Sequence, residues 1–100
     1  MAENKMTKAD IVGRISEKTG IERQDVQATV EAFMESVRES LESGSNVYLR
    51  GFGSFIIKRR ARKTGRDILK NKTIEIPAHN IPSFKPAKSF MDNVKSNVKA

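Results

Sequence analysis

One hundred residues with no cysteine and a formal charge of +7 make room for one small domain, 1–100, with neither disulfides nor thiolate metal sites. The charge is unevenly placed: residues 1–44 carry six basic and nine acidic side chains (−3), and residues 45–100 carry thirteen basic and three acidic ones (+10). The excess therefore belongs to the second half and points to an acidic partner. No stretch approaches the roughly 20 apolar residues that cross a bilayer, and Met1–Lys8 lacks the apolar run of a signal peptide, so a soluble, unexported protein is expected.

Thr7 with Asp10 three residues on has the pattern of a helix N-cap and its acidic partner, and Gly20 closes the first helix. Ile11, Val12 and Ile15 fall at helical spacing within it. Val26, Val30, Phe33, Met34, Val37 and Leu41 then form one apolar stripe on a second helix that ends near Gly44, with Glu31, Glu35, Glu39 and Glu42 on its other side. Residues 7–44 thus read as a helical hairpin. Its stripe, centred on Phe33, Met34, Val37 and Leu41, is more apolar surface than one small sheet covers, and two copies packed together would bury it. The alternative is that the last helix covers the stripe within one chain.

Val47-Tyr48-Leu49 favours a strand, Gly51-Phe52-Gly53 a turn, and Phe55-Ile56-Ile57 the start of a second strand. Residues 58–66, Lys-Arg-Arg-Ala-Arg-Lys-Thr-Gly-Arg, cannot fill a core. Pairing 54–66 with 72–82 across a turn at Lys70-Asn71-Lys72 predicts a long hairpin arm, of which 58–66 alone would span about 30 Å. Ile81, Pro82, Phe84 and Pro86 read as a connector. Phe90, Met91, Val94 and Val98 give a final amphipathic helix within 83–100. The expected fold is α+β: a helical hairpin (7–44), a small antiparallel sheet drawn out into a two-stranded arm (45–82) and a C-terminal helix (83–100), assembled as a dimer.

Residues 58–72 hold eight basic side chains, Lys58, Arg59, Arg60, Arg62, Lys63, Arg66, Lys70 and Lys72, against the single acid Asp67. Duplex DNA, with a charge every ~1.7 Å of axis, matches such a ribbon, and arginine suits a narrow minor groove. Ile68 and Leu69 sit near the tip of the arm, where apolar side chains either pack on their own hairpin or wedge between base steps.

These residues resemble the bacterial HU/IHF histone-like proteins over nearly the whole chain: Thr7-Lys8-Ala9-Asp10-Ile11, Gly51-Phe52-Gly53-Ser54-Phe55, Arg60-Ala61-Arg62-Lys63-Thr64-Gly65-Arg66, Ile74-Glu75-Ile76-Pro77 and Phe84-Lys85-Pro86-Ala87-Lys88. The resemblance implies a nucleoid protein of the bacterial cytoplasm, an intertwined homodimer or an intertwined heterodimer with a paralogue, whose sheet forms a saddle and whose two arms wrap the minor groove and bend double-stranded DNA. It implies arm contacts from Lys58, Arg60, Lys63 and Arg66, body contacts from Lys85 and Lys88, weaker ones from Lys5 and Lys8, and a dimer interface that includes Phe52 and Phe55 with the helical stripe. The family's wedge is a proline after Gly-Arg-Asn. Here Gly65-Arg66-Asp67 is followed by Ile68, and Asn71 replaces the usual glycine of the arm-tip turn.

Two other binding roles differ in kind. An RNA reader would want exposed aromatics for base stacking, and only Tyr48 qualifies. A protein-interaction module would use the helical stripe. An enzyme is not expected: His79, the single histidine, follows Pro77 in a connector, no P-loop occurs, and nitrogen and sulfur ligands for zinc are lacking. No cofactor, membrane or small-molecule substrate is implied.

Overall fold

The computed structural model describes residues 5–67 and 72–98. The elements run α1 (Lys8–Thr19), α2 (Arg23–Glu42), β1 (Val47–Leu49), β2 (Gly53–Arg60), β3 (Lys63–Asp67), β4 (Lys72–Ile76), β5 (His79–Pro86) and α3 (Lys88–Asn97). Contacts divide the chain into two units, Met1–Arg38 and Glu39–Ala100.

In the first unit α1 begins with a reciprocal cap. The Asp10 N–H donates to Thr7 Oγ1 (3.2 Å) and the Thr7 N–H donates to Asp10 Oδ2 (3.0 Å), which satisfies donors that a helix start leaves free. The Thr7 N–H above all, with the Thr7 hydroxyl second, favours the ionised carboxyl and holds Asp10 below its ordinary value. Gly20, at φ 77°, ends the helix, its N–H donating to the Ser16 carbonyl. Arg23 reaches back from α2 to donate to the Ala9 carbonyl (3.1 Å). Gly13 leaves the space, because a Cβ there would stand 2.7 Å from Arg23 Nη1. Lys8 Nζ meets Glu31 Oε2 at 2.8 Å, and that bond above all depresses the Glu31 carboxyl. Val12 and Val26 are buried, at 1% and 3% exposure, whereas Ile11, expected inside, is exposed.

In the second unit β1, β2 and β5 form an antiparallel sheet with β2 central, and β3 pairs with β4 in a two-stranded sheet. The register is constant along the hairpin: Arg60 faces His79, Lys63 faces Ile76 and Asp67 faces Lys72. Three expectations change. The long hairpin is interrupted at 61–62 and 77–78. Lys72 is paired in β4 and is not part of the turn. The connector read at 81–86 belongs to strand β5, which carries the return strand expected to end at 82 on to Pro86, and the last helix starts at Lys88. β5 tolerates Pro82 and Pro86 because it is an edge strand, where a missing N–H need not break a ladder.

One face of the three-stranded sheet is apolar. Val47, Phe55 and Phe84 are register partners across it, as are Leu49, Gly53 and Pro86. Phe84 lies 4.9 Å from Phe55, 5.3 Å from Phe52 and 6.3 Å from Phe90, ring centre to ring centre. The Ala87 N–H donates to the Phe52 carbonyl (2.9 Å), and this bond sets α3 so that Phe90 stacks on Phe52 at 5.4 Å. Gly53 allows the close approach, since a Cβ would stand 2.7 Å from both Phe84 Cζ and the Lys85 carbonyl. No helix among the described residues is long and apolar enough to cross a membrane.

Candidate nucleic-acid interface

Side chains alternate across a strand, and cross-strand partners share a face. The register therefore puts Tyr48, Ser54 and Lys85 in one row, followed by Ile56 with Ser83, Lys58 with Ile81, and Arg60 with His79. Lys58, Arg60, His79 and Lys85 are all exposed, and neither β2 nor β5 contains a carboxylate. This second face of the sheet thus carries the cations Lys58, Arg60 and Lys85 and no carboxylate from β2 or β5. Near its β1 end lies an open depression of about 650 Å³ whose lining includes Tyr48, Arg50, Ser54, Ile56 and Lys85.

The expected site residues are not all brought together. Arg59 alternates to the other face, opposite Asn80 and on the side of Phe55 and Phe84. Arg62 is exposed and forms an ion pair with Glu75 across the ribbon. Lys63 is exposed in β3, and Arg66 is placed there opposite Thr73. Lys88, in the first turn of α3, stands 3.3 Å from Asp92. Ile68 and Lys70, the proposed wedge and one arm cation, lie outside the described residues. Lys5 is exposed, and Lys8 is held by Glu31.

Two features, the place of His79 and that of Arg50, were missed from sequence, and Tyr48, read there as an exposed aromatic, gains its setting from the structure. His79 belongs to the cationic face and not to a connector, its ring Nδ1 standing 3.0 Å from the Pro77 carbonyl oxygen. Tyr48, 71% exposed, is held by Asn46, whose amide donates to the Tyr48 hydroxyl (3.2 Å) while its Oδ1 accepts from the Ile57 N–H (3.0 Å). Arg50 joins the same depression. Residues 79–86, His-Asn-Ile-Pro-Ser-Phe-Lys-Pro, do not alternate cleanly between polar and apolar, and their prolines speak against a strand, so β5 beyond residue 82 carried little local signal.

The apolar residues assigned to a dimer interface divide by exposure. Phe33, Met34 and Phe52 remain 45–47% exposed, and Val37, Leu41 and Phe55 are half-buried. Beside Phe52, a cleft of about 360 Å³ runs along Phe84, Pro86, Phe90, Met91 and Val94.

Paired helices, a sheet drawn into a basic ribbon and a closing helix define a class of α+β ribbon proteins with a surface suited to polyanions. The bacterial DNA-binding protein family model matches residues 6–95, and the chain belongs to that family. It is 42% identical over 94 residues to DNA-binding protein HU of Thermus thermophilus, covering 94% of this chain and 97% of the relative. With the HU of Geobacillus stearothermophilus it shares 37% over 90 residues, covering 90% of this chain and all of that one. Among solved structures it is similar to the Anabaena HU–DNA cocrystal structure (TM-score 0.85, 34% identity, 90% of this chain and 98% of that one). HU from Thermotoga maritima is more distant, with a TM-score of 0.62 and 27% identity over 90% of this chain and all of that one.

Proposed function

We propose that this chain is an architectural protein of the bacterial nucleoid that binds duplex DNA through its β-ribbon and bends or compacts it with little base-sequence readout. It is not an enzyme. The observation that carries the reading is the acid-free cationic face formed by Lys58, Arg60 and Lys85 on β2 and β5, continued by the basic β3 strand. Such a surface neutralises phosphates and releases counterions, a drive that does not depend on base sequence. Arm contacts are assigned to Lys58, Arg60, Lys63 and Arg66, with Lys70 and Lys72 nearer the tip and Lys85 and Lys88 on the body. Ile68 is assigned the wedge, with isoleucine in the place of the family's proline.

The working unit is a homodimer. A second copy is the occupant that suits the exposed Phe33, Met34 and Phe52 and the apolar cleft at Phe84 and Phe90, because those surfaces on two identical chains match one another in chemistry. Two copies also place two ribbons on one DNA.

Fluorescence anisotropy with a straight and a nicked duplex of one sequence, over a salt series, tests the reading. The nicked duplex should bind more tightly and with greater salt resistance, because it is already easy to bend. Arg60→Ala should weaken binding to all sequences alike and flatten the logarithmic salt slope by about 0.9 for one lost phosphate contact. An Arg60→Ala variant with unchanged affinity and slope would remove the β2–β5 face from the interface.

A further inference from the structure

His79 has a defined orientation. Its Nδ1 stands 3.0 Å from the Pro77 carbonyl oxygen, and since a carbonyl only accepts, Nδ1 carries the proton. The nitrogen left to gain or lose a proton is then Nε2, on a ring that is exposed to solvent. The charged groups that share its face on β2 and β5 are all cations. Arg60 is its register partner on β2, Lys58 shares the face one step along, and Lys85 shares it on β5. The nearest carboxylate along the ribbon, Glu75, is engaged by Arg62.

We infer that His79 makes a proton-dependent contact to DNA phosphate through Nε2, so that this chain binds DNA more tightly as pH falls through the range in which histidine titrates. The inference rests on the reading that the β2–β5 face meets DNA. With Nε2 unprotonated, the ring presents a lone pair to phosphate oxygens and gains nothing from them. With Nε2 protonated, it presents a charged donor beside the Arg60 guanidinium, and the phosphate both accepts the bond and neutralises the clustered charge. Binding therefore takes up a proton, and by linkage affinity rises as protons become available. The sign depends on the register: the same ring on the opposite face, with Arg59 and Phe84, would not meet the phosphates that Arg60 meets.

The test is the dissociation constant for a duplex of fixed sequence at pH 5.5, 6.0, 6.5 and 7.0 and constant ionic strength. Wild type, His79→Gln, His79→Arg and Arg60→Ala would be compared. Wild-type affinity should rise about two- to fivefold from pH 7.0 to 5.5, the worth of one exposed ionic contact. His79→Gln should be nearly flat and match wild type at pH 7.0. His79→Arg should be flat and match wild type at pH 5.5. As His79 is the only histidine, its ring-proton NMR titration in intact wild-type protein should move to higher pH when duplex is added. A pH profile retained in His79→Gln, or a ring titration unmoved by DNA, would overturn the inference. If Arg60→Ala loses affinity at every pH while His79→Gln keeps the wild-type profile, the His79 contact fails and the face reading stands. If Arg60→Ala binds like wild type, the face reading itself fails.

Discussion

Phe84→Ala tests whether the second unit completes its core alone. Phe84 touches Phe55, Phe52 and Phe90, yet it is 37% exposed in the single chain. Truncating a fully buried phenylalanine costs about 3–5 kcal/mol, so a ring roughly two-thirds buried should cost about 2–3 kcal/mol in an isolated chain. If a second copy seats in the adjoining cleft, the ring is fully covered and the cost moves to the upper range. The two cases separate by concentration. A dimer gains about 1.4 kcal/mol of apparent stability for each tenfold rise in protein, and an isolated chain gains none. Urea unfolding followed by circular dichroism, at protein concentrations a hundredfold apart, should show a wild-type midpoint that rises with concentration and a Phe84→Ala loss above 3 kcal/mol. A concentration-independent midpoint would refute the dimer. A loss below about 1 kcal/mol would refute the aromatic cluster as a core.

Other outcomes follow from single contacts. Gly53→Val should be among the most destabilising single changes, because even a Cβ meets Phe84 and the Lys85 carbonyl at 2.7 Å; a thermal midpoint within a few degrees of wild type would show that the sheet can open there. Asn46→Ala should cost about 1 kcal/mol by removing the acceptor of the Ile57 N–H, and hydrogen exchange at the Ile57 amide should accelerate. Thr7→Ala should cost about 1 kcal/mol through the lost cap. Asp10 and Glu31 are held below ordinary values of 3.8 and 4.5. Their contribution is therefore present above those values and is lost as pH falls through and below them. Acid unfolding of Asp10→Asn should show a shallower loss below about pH 4, and an unchanged acid limb would mean that the cap carboxyl is not linked to folding.

Much of this architecture was legible in the sequence where a local rule decides the structure. Thr7, Asp10 and Gly20 act within one helical turn, and the cap and terminator appear as their residue types require. The stripe from Val26 to Leu41 marks α2 because its spacing is helical. The end of β5 beyond residue 82 was hidden because its prolines argue against a strand, and only the sheet order, which places it at an edge, makes them harmless. His79 was read in a connector although the expected 72–82 strand runs through it, and its partner Arg60 comes from register and not from sequence proximity. Composition also made one set of Lys58, Arg59 and Arg60, although alternation sends Arg59 to the opposite side. The ion pair of Arg62 with Glu75 is equally non-local: it takes one arginine of the basic run partly out of the pool that a phosphate would meet.

That separation of charge bears on how DNA would be met. The sequence segment of α1 and α2 is net acidic, whereas the strands and α3 hold the whole positive excess. The strand segment attracts a polyanion and the α1–α2 segment repels it, so the long-range field favours contact through the ribbon. The acids that share α2 with the apolar stripe repel phosphates that would otherwise approach it. Reversing the acids Glu35 and Glu39 to lysine should therefore strengthen salt-sensitive DNA binding while weakening the preference for a nicked over a straight duplex, since a helix made attractive to phosphate competes with the ribbon for the duplex. An unchanged preference alongside higher affinity would mean that the ribbon alone sets orientation and that the acidic helices play no part in it.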